Sequence, residues 1–191
     1  MTLTVFRHSL ALAVCSAASA SVFAEPLRYD YLDVSLVADE DQRGLSLRGS
    51  LDFGELGGSG LYLHGSAASL SGSDGPVDWD RRDIDLGLGY RHALGDFWAL
   101  EGEVAWRDER LERDGSAARD LRGVRLSFGV RGSVSERVEF RAKLSAFDGG
   151  GTETRGEIGV HVLASQRIGF TTDVQFGDGG EVLMVGVRVR F

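Results

Sequence analysis

In ten segments of the chain, residues of one parity are apolar and residues of the other parity are polar, small or charged. In the segment from Phe97 to Arg107, for example, Trp98, Leu100, Val104 and Trp106 share one face. A period of two is typical of a β-strand, and no helical period competes with it. Turns rich in Gly, Ser and Asp separate the segments. The predicted strands are residues 28–37, 44–54, 60–70, 83–92, 97–107, 121–132, 137–147, 155–164, 168–176 and 181–191.

The length of these strands favours a membrane over water. Each is about the 9–11 residues that a tilted membrane-spanning strand requires, whereas strands of soluble proteins average about five or six. Aromatic residues also fall at two levels, as in the girdles of membrane barrels. We predict a periplasmic girdle of Phe53, Tyr90, Trp98 and Phe191, and an outer girdle of Trp106 and Phe176.

The sequence therefore predicts an all-β protein, a transmembrane antiparallel up-and-down β-barrel with ten strands. Eight strands are the alternative if the two weakest segments, 28–37 and 60–70, are not strands. A secreted lipid-binding barrel or a sandwich is a second alternative, because parity alone does not say whether the apolar face points outward or inward.

Residues 1–24 have the pattern of a secretory signal peptide. Arg7 precedes a short apolar run, and small residues lead to a cleavage site after Ala24. The single cysteine, Cys15, lies inside this leader, so the mature chain would contain no thiol. We expect one mature domain, residues 25–191, in the outer membrane of a Gram-negative cell.

Two motifs carry a resemblance to a known superfamily. One is Gly87-Leu-Gly-Tyr90-Arg91, and the other is the terminal signal formed by Gly186, Val189 and Phe191. On these motifs the chain resembles the small outer-membrane β-barrels that include the opacity proteins and the OmpA transmembrane domain. Val185 departs from the pattern, since a polar residue is usual there. The resemblance implies insertion by the barrel-assembly machinery, with membrane lipid and lipopolysaccharide as surroundings.

Charged residues occupy the face opposite the lipid in nearly every strand. A buried charge is tolerated only when it is paired, so we predict a salt-bridge network that fills most of the lumen. A narrow, weakly selective pore for small solutes or ions is the alternative. The predicted network comprises Asp33, Arg48, Asp52, Asp85, Arg91, Glu101, Glu103, Arg107, Arg125, Arg131, Glu139, Arg141, Lys143, Glu157, Asp173, Arg188 and Arg190.

No pattern of catalytic, metal-binding or cofactor-binding residues is convincing, and we predict a protein that is not an enzyme. His64 and Ser66 share a strand face, but no carboxylate is evident to orient the histidine. A net charge of -8 gives no support for nucleic-acid binding. The predicted outer loops are short and acidic: 38–43, 71–82, 108–120, 148–154 and 177–180. Trp79 is expected at a loop tip, where it could serve surface adhesion or recognition, a third possible function.

Overall fold

A computed structural model describes residues 27–191 except 40, 41, 57, 58 and 179. The predicted signal peptide, 1–24, and its cleavage site lie outside the described residues. The strands are β1 (Tyr31–Ala38), β2 (Gln42–Leu56), β3 (Ser59–Asp74), β4 (Val77–Ala93), β5 (Trp98–Arg113), β6 (Arg119–Ser135), β7 (Val138–Asp148), β8 (Thr152–Leu163), β9 (Ile168–Gly177) and β10 (Gly180–Arg190). The described part of the chain has no helix that is long and apolar enough to span a membrane.

The strands form one closed sheet in which each strand pairs antiparallel with the next. The seam joins the first strand to the last, with Tyr31 opposite Arg190 and Ala38 opposite Leu183. The prediction of a ten-stranded up-and-down barrel is confirmed, and both segments that had left eight strands open are strands β1 and β3. The even strand number places both ends of the barrel chain on one side, which we take as the periplasmic side.

The inner and outer faces of the barrel have opposite polarity. In β1 burial alternates without a slip: Asp33 and Ser35 are buried inside, whereas Val34 and Leu36 are exposed outside. The outer face carries a continuous apolar belt in which Leu144 is 68% exposed and Phe128 is 62% exposed. An exposed apolar surface of this extent is not compatible with water. It is the lipid-facing surface of a membrane barrel, so the soluble-barrel alternative is wrong.

Four strands continue well beyond the apolar belt on the outer side. Strands β3 to β6 have 16 or 17 residues each, and simple turns join β3 to β4 and β5 to β6. The predicted loops 71–82 and 108–120 are therefore wrong, because both are mostly strand. At about 3.3 Å per residue and a tilt of about 40°, the additional six residues extend about 15 Å from the membrane. We call this extension, residues 69–82 and 108–122, the outer wall.

The outer wall reverses the polarity seen in the membrane. Its outer face carries ion pairs, including Arg122 with Asp108 at 2.8 Å and Arg110 with Glu112 at 2.7 Å. Its inner face carries apolar side chains that are only half-buried, among them Leu70, Trp79, Leu111 and Leu121. Trp79 is therefore not at a loop tip, contrary to the prediction, but on the inner face of β4. The polarity of the outer face reverses because water, and not lipid, surrounds this part of the sheet.

Candidate functional site

The structure places every charged residue of the predicted network on the inner wall of the barrel, where alternate residues are buried or half-buried. The residues form three layers from the periplasmic end to the outer end. The candidate site is thus the lumen itself, and its properties depend on how the charged side chains pair within each layer.

Glu139 is the centre of the periplasmic layer. Its carboxylate accepts a hydrogen bond from Arg131 at 2.8 Å and another from Arg190. Arg188 lies 3.6 Å away, and His161 Nδ1 lies 3.4 Å away. All of these side chains are buried. Three buried guanidinium groups therefore lie against one carboxylate, and removing a partner from such a buried cluster is strongly destabilising.

Tyrosine rings fill the remaining space in this layer. Tyr29 precedes β1, and its ring lies between the guanidinium groups of Arg91 and Arg131, whose carbon atoms are 4.5 Å and 4.8 Å from the ring centroid. Tyr62 packs against it with 5.0 Å between ring centroids. Arg131 also donates a hydrogen bond to the Arg28 carbonyl, which holds the N-terminal segment inside the barrel.

Arg188 links this layer across the seam. It donates two hydrogen bonds to Asp33, at 2.6 Å and 2.7 Å, and its guanidinium carbon lies 3.9 Å from the centroid of the Tyr31 ring. We call the buried set the periplasmic plug; it comprises Tyr29, Tyr31, Asp33, Tyr62, Arg91, Arg131, Glu139, His161, Arg188 and Arg190. Sequence reasoning missed the tyrosines, although an aromatic residue on the polar parity of a strand is a readable signal.

The middle layer connects strands across the bore. Arg141 contacts Glu157 at 2.6 Å and Asp173 at 3.0 Å, and Arg48 contacts Glu157 from the other side at 3.1 Å. On the opposite wall Glu103 accepts hydrogen bonds from Lys143 and from the Tyr62 hydroxyl. The Tyr62 ring lies over Gly89, where a Cβ atom would be only 2.1 Å from the ring. The glycine thus makes room for the tyrosine.

The outer layer contains residues that were assigned to loops or omitted in the sequence prediction. Arg81 and Arg107 share the carboxylates of Asp83 and Glu109, with nitrogen–oxygen distances from 2.8 to 3.0 Å. Arg155 lies at the same end of the lumen. Arg107 was predicted as part of the network, whereas Arg81 and Glu109 were missed because the strands were predicted to begin at residue 83 and to end at residue 107. Asp83 and Arg155 lay within predicted strands but were not included in the predicted network.

The predicted aromatic girdle residues all point outward. Their exposed fractions range from 38% for Trp98 to 65% for Phe53. Within the predicted insertion signal, Val189 and Phe191 also face outward, whereas Gly186 faces inward beneath Ser35. The structure gives these positions, while the roles in anchoring and insertion stay predictions.

His64 and Ser66 lie on the same inner face, and within the described residues each contacts a different neighbour. The Ser66 hydroxyl donates a hydrogen bond to Asp85 at 3.1 Å, and the His64 ring packs beside Tyr62 with 6.2 Å between centroids. Within the described residues, no group of three or more His, Cys, Asp or Glu side chains is arranged to hold a metal ion.

An apolar outer belt, a paired polar interior and a sheet without edges together define a transmembrane β-barrel of the small outer-membrane kind. No protein-family model matches the chain, and no curated protein matches it.

Three solved structures show the extent of the likeness. The KdgM porin has 13% sequence identity and a TM-score of 0.48, covering 84% of this chain and 99% of the porin chain. The translocator domain of the autotransporter NalP from Neisseria meningitidis has 12% identity and a TM-score of 0.47, covering 98% of this chain and 96% of that chain. Ail, the attachment invasion locus protein of Yersinia pestis, has 14% identity and a TM-score of 0.45, covering 86% and 100%. At these scores the assignment of the fold rests on the strand pairing and the two faces, not on the likeness.

Proposed function

We propose that the protein is a non-enzymatic outer-membrane barrel whose lumen is closed at the periplasmic end, and that it has a structural or surface-interaction role. The observation that carries this proposal is the periplasmic plug. Tyr29 is 2% exposed, and Arg190 is also 2% exposed, and this tight burial supports closure of the lumen at this layer. Small barrels are only wide enough for side chains to fill, which supports closure by this mechanism.

Charge matching makes the closure stable. Within the periplasmic plug, Asp33 and Glu139 neutralise guanidinium groups, and Arg91 is paired with Asp52 at 2.6 Å. An ion entering this layer would have to replace a hydrogen-bonded partner, which is unfavourable in a dry region. The plug therefore acts as a barrier to ions of either sign.

Planar-bilayer conductance tests the proposal. The refolded mature chain should give no channel steps, after heat-modifiable gel mobility has shown that it is folded. A variant in which Tyr29, Tyr31 and Tyr62 are all replaced by Ser should conduct, because the rings that fill the layer are gone. Replacing Tyr90, which points outward, by Ser is the matched control and should stay silent. Discrete steps from the unmodified chain would contradict closure.

A narrow, weakly selective pore is the second candidate, and one observation favours it. The outer half of the lumen contains an open polar cavity of about 110 Å³. Side-chain movement in the plug would connect this cavity to the periplasm. The same conductance measurement separates the two candidates, since the pore requires steps in the unmodified chain.

The surface role is assigned to the outer wall. Strands of 16 or 17 residues hold its side chains on a rigid sheet outside the membrane, and its outer face is charged. Rigid elements present a recognition surface with less loss of entropy than loops do. Binding through this surface should be abolished when residues 71–82 are shortened to a two-residue turn, while the membrane-spanning barrel still folds.

The remaining proposals concern export and surroundings. We propose that residues 1–24 are removed after Ala24 and that the barrel-assembly machinery recognises Gly186, Val189 and Phe191 at the last strand. Membrane lipid and lipopolysaccharide would then surround the apolar belt. Mass spectrometry of the protein purified from outer membranes tests the cleavage site directly.

A further inference from the structure

The open cavity in the outer half of the lumen is rich in cationic side chains. It lies above Tyr31 and His64 and extends to Gln42 and Gly180 near the outer ends of β2 and β10. We call it the outer vestibule. Its lining includes four carboxylates, Asp83, Asp85, Glu103 and Glu157, and six cations, Arg48, Arg81, Arg107, Arg125, Lys143 and Arg155.

The carboxylates of the vestibule are already engaged. At its base Glu157 pairs with Arg48 and Glu103 pairs with Lys143. Higher in the vestibule, Asp83 is shared by Arg81 and Arg107. Asp85 lies 3.3 Å from Arg125. Each of the four carboxylates thus has a cation other than Arg155 beside it, although Asp85 Oδ1 and Glu103 Oε2 accept no hydrogen bond within the described structure.

Arg155 has an unusual environment for a half-buried guanidinium. Among the residues that the structure describes, no carboxylate oxygen lies within 4.0 Å of it. Its one side-chain hydrogen bond there is a long one, 3.5 Å, to the side-chain amide oxygen Oε1 of Gln175. Arg107 and Arg81 bring like charge close to Arg155, and the carboxylates of Asp83 and Glu109, which pair with those two arginines, act on it with the opposite sign. Glu153, the next inward-facing residue on β8, makes no ion pair with it in the described structure. Most of the five N–H donors of Arg155 therefore have no acceptor among the described residues.

We propose that Arg155, together with Arg81 and Arg107, binds the carboxylate or phosphate group of a solute that enters the outer vestibule from outside the cell. A guanidinium presents a fork of donors that matches an oxyanion, and charge-assisted hydrogen bonds of this kind are among the strongest in proteins. The cavity of about 110 Å³ has room for a small anion, because a single water needs only about 10–15 Å³ by this measure. The proposal rests on the proposed closure of the lumen, so that the solute is held and not passed on.

Isothermal titration calorimetry on the refolded chain in nanodiscs of uncharged lipid tests the proposal. Sodium phosphate and sodium acetate are titrated separately, with sodium chloride keeping the ionic strength constant. Arg155→Gln removes the charge, and Arg155→Lys keeps the charge but loses the fork. Arg122→Gln is the matched control, because Arg122 lies on the outer face of the outer wall and pairs with Asp108.

Saturable binding of at least one anion is expected, weakened about tenfold or more by Arg155→Gln and by less in Arg155→Lys. Arg122→Gln should bind within about twofold of the unmodified chain. A further arm adds lipid A to the nanodiscs; if only lipid A gives a signal that depends on Arg155, the ligand is a lipid headgroup and the proposed solute site is overturned.

Two other results would also overturn the proposal: no saturation by either anion, or equal binding by the folded Arg155→Gln variant. Failure of the anion site leaves the silent bilayer trace unchanged. Conversely, channel steps from the unmodified chain would contradict closure while anion binding could still be measured. The two failures are therefore distinguishable.

Discussion

Replacing Glu139 by Gln should strongly destabilise the barrel, because this carboxylate is the shared partner of Arg131, Arg188 and Arg190. Glutamine has nearly the same shape, so the change removes one negative charge with little change in packing. At a separation of about 4 Å and an effective dielectric constant of about 20, each charge pair is worth about 4 kcal/mol. Three such neighbours give a gross attraction of about 12 kcal/mol.

Part of this attraction is offset by the cost of burying the carboxylate. Burying a carboxylate costs several kcal/mol, and this cost disappears in the variant. The three guanidinium groups remain buried, however: Arg188 keeps its pairing with Asp33, but Arg131 and Arg190 lose the carboxylate that they share. Removing one partner of a buried ion pair typically costs about 3–5 kcal/mol. Since Glu139 serves several cations, we expect a loss near the upper end of that range.

Urea unfolding of the chain in lipid vesicles measures this loss, with the folded fraction read from heat-modifiable gel mobility and tryptophan fluorescence. Glu136→Gln is the matched control, because Glu136 is exposed in the β6–β7 turn. The control should change the free energy of unfolding by less than about 0.5 kcal/mol. A loss of less than about 1 kcal/mol in Glu139→Gln would refute the view that the periplasmic plug is an interdependent charge cluster.

Three further predictions use the same unfolding measurement. Leu88 is 51% exposed on the lipid face, so Leu88→Arg should cost about 2–4 kcal/mol, whereas Asp78→Arg on the outer wall should change stability by less than about 0.5 kcal/mol. Gly89→Ala would place a Cβ atom 2.1 Å from the Tyr62 ring and should cost about 1–3 kcal/mol of stability. Gly102→Ala is the control, because a Cβ atom there would meet nothing within 4 Å, and it should be neutral or stabilising. Equal effects of the two variants would contradict the packing of Tyr62 over Gly89. Tyr62→Phe removes the 3.1 Å hydrogen bond to Glu103 and should cost about 1 kcal/mol; no loss would mean that this bond contributes nothing.

The sequence was sufficient to predict the strands that cross the membrane, because lipid and lumen impose opposite polarities on alternate residues. It was misleading for the outer wall, where the alternation continues with the polarity reversed. Leu111 points inward there while Arg110 and Glu112 point outward. Glycine, serine and aspartate in these stretches suggested turns. A reversal of parity in an otherwise regular strand is the signal that marks where the membrane ends.

The partners within the lumen could not be predicted from one sequence. Arg48 and Glu157 are 109 residues apart, and they meet only because of the way the ten strands are staggered around the barrel. Tyr29 was predicted to lie in the first strand, yet it precedes β1 and turns into the bore. The alternation of apolar and polar residues predicts whether a side chain faces the lumen or the lipid. The stagger of the strands around the barrel determines which side chains meet across the lumen.

The seam between β1 and β10 has a consequence for how the barrel assembles. All the other pairings in the sheet join strands that are consecutive in the sequence. At the seam, by contrast, Arg188 and its partner Asp33 are separated by 155 residues. Until the seam closes, Arg188 lacks its partner Asp33 on β1, and the charged inner face is open at one side to the bilayer. Exposing such charges to hydrocarbon is costly, so stepwise insertion of single hairpins is unfavourable. We expect entry into the membrane and closure of the ring to occur as one concerted event, with the two edge strands kept apart from lipid until they meet.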